Sequence, residues 1–102
     1  MIFSLKNEQG FIYAYIGWET VDKEGKNKND SEYLYINDLW IHPQYRKGKI
    51  INLFIRLLEK DHRTKNVKYI YWSREKYDGR LSKLLTRNRA VKKGVDYAYA
   101  II

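Results

Sequence analysis

Apolar residues recur with a period near two over the first part of the chain, and the period changes to about 3.6 after residue 49. The first strand-like run is FIYAYIGWETV, residues 11 to 21, and the second is EYLYINDLWIH, residues 32 to 42. In the second run Tyr33, Tyr35, Asn37, Leu39 and Ile41 alternate with Leu34, Ile36, Asp38, Trp40 and His42. Both sets are mostly apolar, which suits an interior strand covered on two faces. Between the runs lies DKEGKNKNDS, residues 22 to 31, with no apolar side chain and with Gly25, Asn27, Asn29 and Asp30 to make turns. IFSLK, residues 2 to 6, adds a strand ahead of a turn at NEQG. The first 42 residues therefore predict an antiparallel meander.

Ile50, Leu53, Phe54, Leu57 and Leu58 then recur at helical spacing, and Ile51 and Ile55 widen the face they form. This helix should be well buried and should fray over residues 61 to 66. VKYIYWS, residues 67 to 73, reads as a strand. Strand, helix and strand with short joints make the strands at 32–42 and 67–73 parallel. GRLSKLLTRNRAVKK, residues 79 to 93, reads as a second helix with Leu81, Leu84, Leu85 and Asn88 inward and Gly94 as its C-terminal cap. VDYAYAII, residues 95 to 102, closes the chain as a strand, and its exposure would let it pair with a second copy. The expected fold is α/β (α+β), one domain over residues 1–102, a mixed sheet with two helices in the order β-β-β-α-β-α-β.

Composition agrees. Hydrophobic residues make up 44% and charged residues 31%, a balance that folds rather than staying disordered. Ten Tyr, three Trp and three Phe favour half-buried strands. The chain has no Cys, so disulfides and thiol-bound metals are excluded. His42 and His62 have no ligand spacing, and no metal site is expected. No Gly-x-Ser-x-Gly setting marks a serine nucleophile. No apolar run approaches the roughly 20 residues of a membrane span, and MIFSLKNEQG has no leader pattern. The expected address is cytoplasmic. The formal net charge of +8 favours polyanions and phosphorylated small molecules.

One stretch carries candidate chemistry. HPQYRKGKIINLF, residues 42 to 54, sets Tyr45, Arg46, Lys47, Gly48 and Lys49 between a strand and a buried helix. Unpaired N–H groups at a helix start, backed by the helix dipole, can bind a phosphate. A solvated basic turn is the plainer reading, with Pro43 and Gly48 as loop chemistry.

The element order, with IHPQYRKGKII in this place, resembles the core of the GNAT acyltransferase family. There a central strand ends in a pattern like Val-x-Pro-x-Tyr-Arg-Gly-x-Gly-x-Gly/Ala, and Ile41, Pro43, Tyr45 and Arg46 stand in register with it. The resemblance covers residues 10 to 102 in order of elements and about a dozen residues in motif. This would be a minimal version, without the family's N-terminal helices. Aligned on Arg46, the second and third loop glycines fall at Lys49 and Ile51, and Gly48 stands one position early.

The resemblance implies an acetyl-CoA-dependent N-acyltransferase acting on an amine of a protein or small molecule. Arg46, Lys47, Gly48, Lys49, Ile50 and Ile51 would hold the pyrophosphate. Leu39, Trp40 and Ile41 would offer backbone groups to the pantetheine arm. Asp38 would be the base, with Glu75 as second choice. The family's helix tyrosine, which protonates the leaving thiolate, falls at Ala90. The other reading is a non-catalytic GNAT-like module. Residues 80 to 93 hold six basic residues and no acid, and Arg80, Lys83 and Arg87 share one helix side, a stripe for protein or nucleic acid. Tyr71, Trp72 and Tyr77 stand nearby in sequence to stack on bases. The Lys-, Asn- and Tyr-rich style is that of phage and low-GC bacterial chains, which would make the address a host cytoplasm. The state expected is monomer or homodimer.

Overall fold

The computed structural model describes residues 1–45, 49–73, 91–93 and 97–101, with the backbone alone at 91–93, 98, 100 and 101. Among the described residues six strands form one sheet. They are β1 (Ile2–Lys6), β2 (Ile12–Val21), β3 (Tyr33–Ile41), β4 (Tyr69–Ser73), β5 (Val91–Lys93) and β6 (Tyr97–Ile101). Their spatial order is β1-β2-β3-β4-β6-β5. β3 and β4 are parallel neighbours, as the strand–helix–strand pattern requires. The other pairings are antiparallel.

The meander rests on two side-chain-built turns. Asn7 Oδ1 accepts from the N–H groups of Gln9 and Phe11, both at 3.0 Å, and Gly10 supplies the left-handed residue at φ 88°. Asp22 Oδ1 does the same for Glu24 and Lys26, both at 2.9 Å. The loop from residue 22 then returns to the sheet through Ser31, whose hydroxyl donates to the Val21 carbonyl.

One helix is described, α1 (Lys49–Lys60), and it covers one face of the sheet. Ile51, Phe54, Ile55 and Leu58, spaced i, i+3, i+4, i+7, are buried against Ala14, Ile16 and Trp18 of β2, Leu34 and Ile36 of β3, and Ile70 and Trp72 of β4. The centre of the helix face therefore lies on Ile51 and Ile55. Leu53, expected inward, is 38% exposed.

Three further expectations change. Residues 91–93, read as the end of a second helix, are strand β5; the rest of that helix, residues 79 to 90, lies outside the described residues, as does Gly94. The last strand is not a free edge, because β5 pairs along its outer side. Residues 61 to 66 do not fray. Asp61 accepts from the Arg63 N–H at 2.9 Å and caps a 3₁₀ turn, His62–Thr64. The Thr64 hydroxyl meets the carbonyls of Leu58 and Asp61, closing the helix end.

Arg63 locks this corner to the sheet. Its guanidinium grips Asp61 with two bonds, Nε to Oδ1 at 2.8 Å and a terminal nitrogen to Oδ2 at 2.6 Å, and it lies 5.2 Å from the centre of the Trp18 ring. The hydrogen bonds from Arg63 hold the Asp61 carboxyl down at about 2, against an ordinary 3.8. A depressed carboxyl stabilises the fold above its ordinary value and loses that contribution as pH falls through its folded value. Asp61→Asn should therefore lower the urea midpoint at about pH 7, and its gap to the wild type should close as pH falls from about 4 to about 2. A gap of equal size at both ends would show that the ion pair contributes nothing.

Candidate functional site

β3 carries a bulge. Gly17 of β2 stands opposite Asp38 and Trp18 stands opposite Ile36, so Asn37 is an extra residue with no partner of its own in β2. The bulge resets the alternation. Leu34 and Ile36 face α1, and past the bulge it is Leu39 and Ile41 that pack against the core. Asp38 and Trp40, which strict alternation would have turned inward with Leu34 and Ile36, stand on the other side. Asp38 is exposed. Trp40 stacks on Tyr15 with ring centres 5.9 Å apart and meets His42 edge-on at 6.1 Å.

Two features fix the bulge. Asn37 Nδ2 donates to Glu19 Oε1 at 2.7 Å. Gly17 gives the room. A Cβ on Gly17 would collide with Asn37 Oδ1 and come within 3.2 Å of the Asp38 Cβ. β3 also parts from β4 here. Their pairing runs from Tyr33–Tyr69 to Ile36–Trp72, and Asp38 to Trp40 have no β4 partner among the described residues. Trp72 is the β4 residue at the last paired position before the parting. It is fully buried in the core under α1.

The strand then turns into α1. The His42 N–H donates to the Tyr13 carbonyl at 2.8 Å, and His42 Nδ1 accepts from the Gln44 N–H at 3.2 Å. That bond gives His42 a turn-forming role at the 3₁₀ turn Pro43–Tyr45. α1 begins at Lys49, which is exposed, and its first turn holds no acid. Ile51 turns its side chain into the core, 3% exposed.

Of the residues singled out by sequence, Asp38, Leu39, Trp40 and Ile41 are gathered on the far half of β3. Lys49, Ile50 and Ile51 form the first turn of the helix that follows. Arg46, Lys47, Gly48, Glu75, Tyr77, Arg80, Lys83, Arg87 and Ala90 lie outside the described residues. Among the described residues no three His, Cys, Asp or Glu gather to hold a metal, and no helix is long and apolar enough to cross a membrane.

Sequence reasoning missed the face of the sheet opposite α1. Tyr33 and Tyr35 of β3, Tyr69 and Tyr71 of β4, and Tyr97 and Tyr99 of β6 all stand there, because paired residues share a face. Tyr33 and Tyr69 stack at 5.3 Å, and Tyr71 and Tyr99 lie at 5.1 Å. Burial pushes the Tyr71 hydroxyl above its ordinary value, with Tyr33, Tyr99 and Tyr69 adding to the effect. Burial raises Tyr35 as well, helped by Tyr97 and by the carboxylate of Glu19. The signal was present as Tyr-x-Tyr triplets at 33–35, 69–71 and 97–99.

Gly17→Ala should destabilise the fold by about 1–3 kcal/mol, the usual cost of overpacking. Trimming Asn37 to Gly in that background should recover part of the loss, read as a coupling in a urea double-mutant cycle. Additive losses would show that the two residues do not press on one another. No protein-family model matches this chain and no curated protein matches it, so the chemistry of the site has to be read from its own residues.

Proposed function

We propose that this chain is an acetyl-CoA-dependent N-acyltransferase of GNAT type, acting on an amine of a protein or small molecule. The observation that carries the reading is the bulge at Asn37, where β3 leaves β4 just before the turn into α1. A bulge frees backbone groups from the ladder, and a parting between parallel strands gives an extended chain a place to lie. In an antiparallel ladder one residue in two turns its N–H and C=O away from its partner. The His42 N–H bonds to Tyr13, so Trp40, two residues before it, also turns its groups to β2, and Leu39, between Trp40 and the bulge, turns its groups to the side away from β2.

Acetyl-CoA supplies the acyl thioester. The residues present fit it in charge: Lys49 heads a helix whose first turn has no acid, and Ile51 does not crowd that end because its side chain is in the core. Arg46, Lys47 and Gly48 complete the basic segment, with Ile50 in the same turn. Asp38, exposed beside the bulge, takes the proton of the incoming ammonium, directly or through a water. The amine nitrogen would then bond to the acyl carbon as the carbon–sulfur bond breaks, and the second proton it sheds on becoming an amide would pass through solvent to the departing thiolate.

Calorimetry with acetyl-CoA tests this. Binding in the micromolar range, weakened about tenfold or more by Arg46→Glu, is expected from the loss of a charge-assisted phosphate contact. Asp38→Asn should leave that binding in place and cut the release of free thiol over a panel of primary amines by about a hundredfold. No binding up to millimolar acetyl-CoA would sink the reading, and the basic stripe at Arg80, Lys83 and Arg87 would be tested next against nucleic acid and protein.

A further inference from the structure

The tyrosine face is not flat. Beside the loop that leaves β2 lies a concavity of about 550 Å³ lined by Val21, Asp22, Lys23, Glu24, Gly25, Tyr33, Tyr35, Tyr71 and Tyr97. That size is ordinary for a small-molecule site. Its rings are tilted against one another rather than stacked flush. Tyr33 and Tyr71 lie 5.6 Å apart at 45°, and Tyr35 and Tyr97 lie 6.1 Å apart at 69°. Faces and edges of several rings are thus offered to one space.

Charge narrows the occupant. The chain as a whole is strongly basic, at +8. The described lining is not: Asp22 and Glu24 stand against Lys23 alone. Glu19, across from Tyr35 in the β2–β3 register and felt by its hydroxyl, adds a third carboxylate at this end of the face. A phosphate would meet these carboxylates, and an uncharged apolar ligand would strip water from them for nothing in return. A cation gains twice, from the carboxylates and from the electron-rich ring faces. Tyr35 and Tyr71 are neutral phenols at neutral pH, and burial moves them further from ionising.

We propose that this concavity is a binding site for an organic cation, an alkylammonium or quaternary ammonium group seated among Tyr33, Tyr35, Tyr71 and Tyr97 with Asp22 and Glu24 at its rim. The proposal does not depend on acyl transfer, and its test needs no acetyl-CoA.

The test is a nuclear magnetic resonance titration of the labelled chain with choline and with its uncharged carbon isostere, 3,3-dimethylbutan-1-ol. Choline should shift the amides of residues 22–25, Tyr33, Tyr35 and Tyr71 and saturate in the millimolar range, with the isostere at least about tenfold weaker. Tyr97 is 51% exposed, so Tyr97→Leu should leave the fold intact and weaken choline about tenfold, while Tyr97→Phe keeps the ring and the affinity. Glu24→Gln, on an exposed loop residue, should weaken it about threefold and reduce its dependence on salt. Equal affinity for the isostere, shifts confined to other parts of the sheet, no saturation, or an unchanged constant in Tyr97→Leu would each overturn the proposal.

Discussion

One extra residue in one strand decides what the two faces of this sheet carry. A side-chain period of two means that a shift by one residue turns a whole strand over. Asn37 makes that shift in the middle of β3. Before it, Leu34 and Ile36 face the helix; after it, Leu39 and Ile41 do. Without the bulge, Asp38 and Trp40 would be driven into the core beside Ile16 and Phe54, and a buried lone carboxylate is among the most costly things a fold can contain. The bulge is held from the neighbouring strand, by the missing side chain at Gly17 and by the Glu19–Asn37 hydrogen bond. Two strands thus share the local geometry, and neither specifies it alone.

This explains which parts of the structure could be read from the sequence. Strand placement was legible wherever burial is one-sided and regular: β2 shows Ala14, Ile16 and Trp18 inward, and the parallel β3–β4 pair follows from strand, helix, strand. The bulge was not, because Asn37 and Asp38 fit either face of an alternation and the glycine that makes room is twenty residues upstream. Leu53 misled in a similar way. Periodicity gives the width of a helix's apolar face but not which part of it meets the sheet, and that is set by where Trp72 and Phe54 fill the interior. Val91 to Lys93 were read as helix because Gly94 offered a C-terminal cap to the run that Leu81, Leu84 and Leu85 begin, whereas the pairing with β6 decides their state.

The candidate site was legible only in part. The sequence points to Asp38 and the three residues after it through their place ahead of Pro43, and the structure sets them together on the half of β3 that has left β4. The Tyr-x-Tyr triplets were counted as strand formers, which they are, but not as a surface. Three triplets on strands adjacent in the sheet become one surface only when the strand order is known. β6 reaches β4 from the far end of the chain, and that long-range step is invisible to local pattern.

The two faces divide the work between stability and recognition. The face under α1 is closed by apolar side chains and holds the fold together. The opposite face is built from rings that satisfy β propensity and still present polar tips, so it can stay partly wet without cost. Tyrosine suits that position better than phenylalanine or leucine would: its ring packs against cross-strand neighbours, and its hydroxyl keeps the surface from becoming an aggregation-prone patch. Asp38 is joined to this face by the bulge alone, since the same shift that buries Leu39 and Ile41 brings Asp38 out beside Trp40, two turns of the alternation from Tyr35. A mutation that removed the bulge would therefore act on core and surface together, inverting the far half of β3 in a single step.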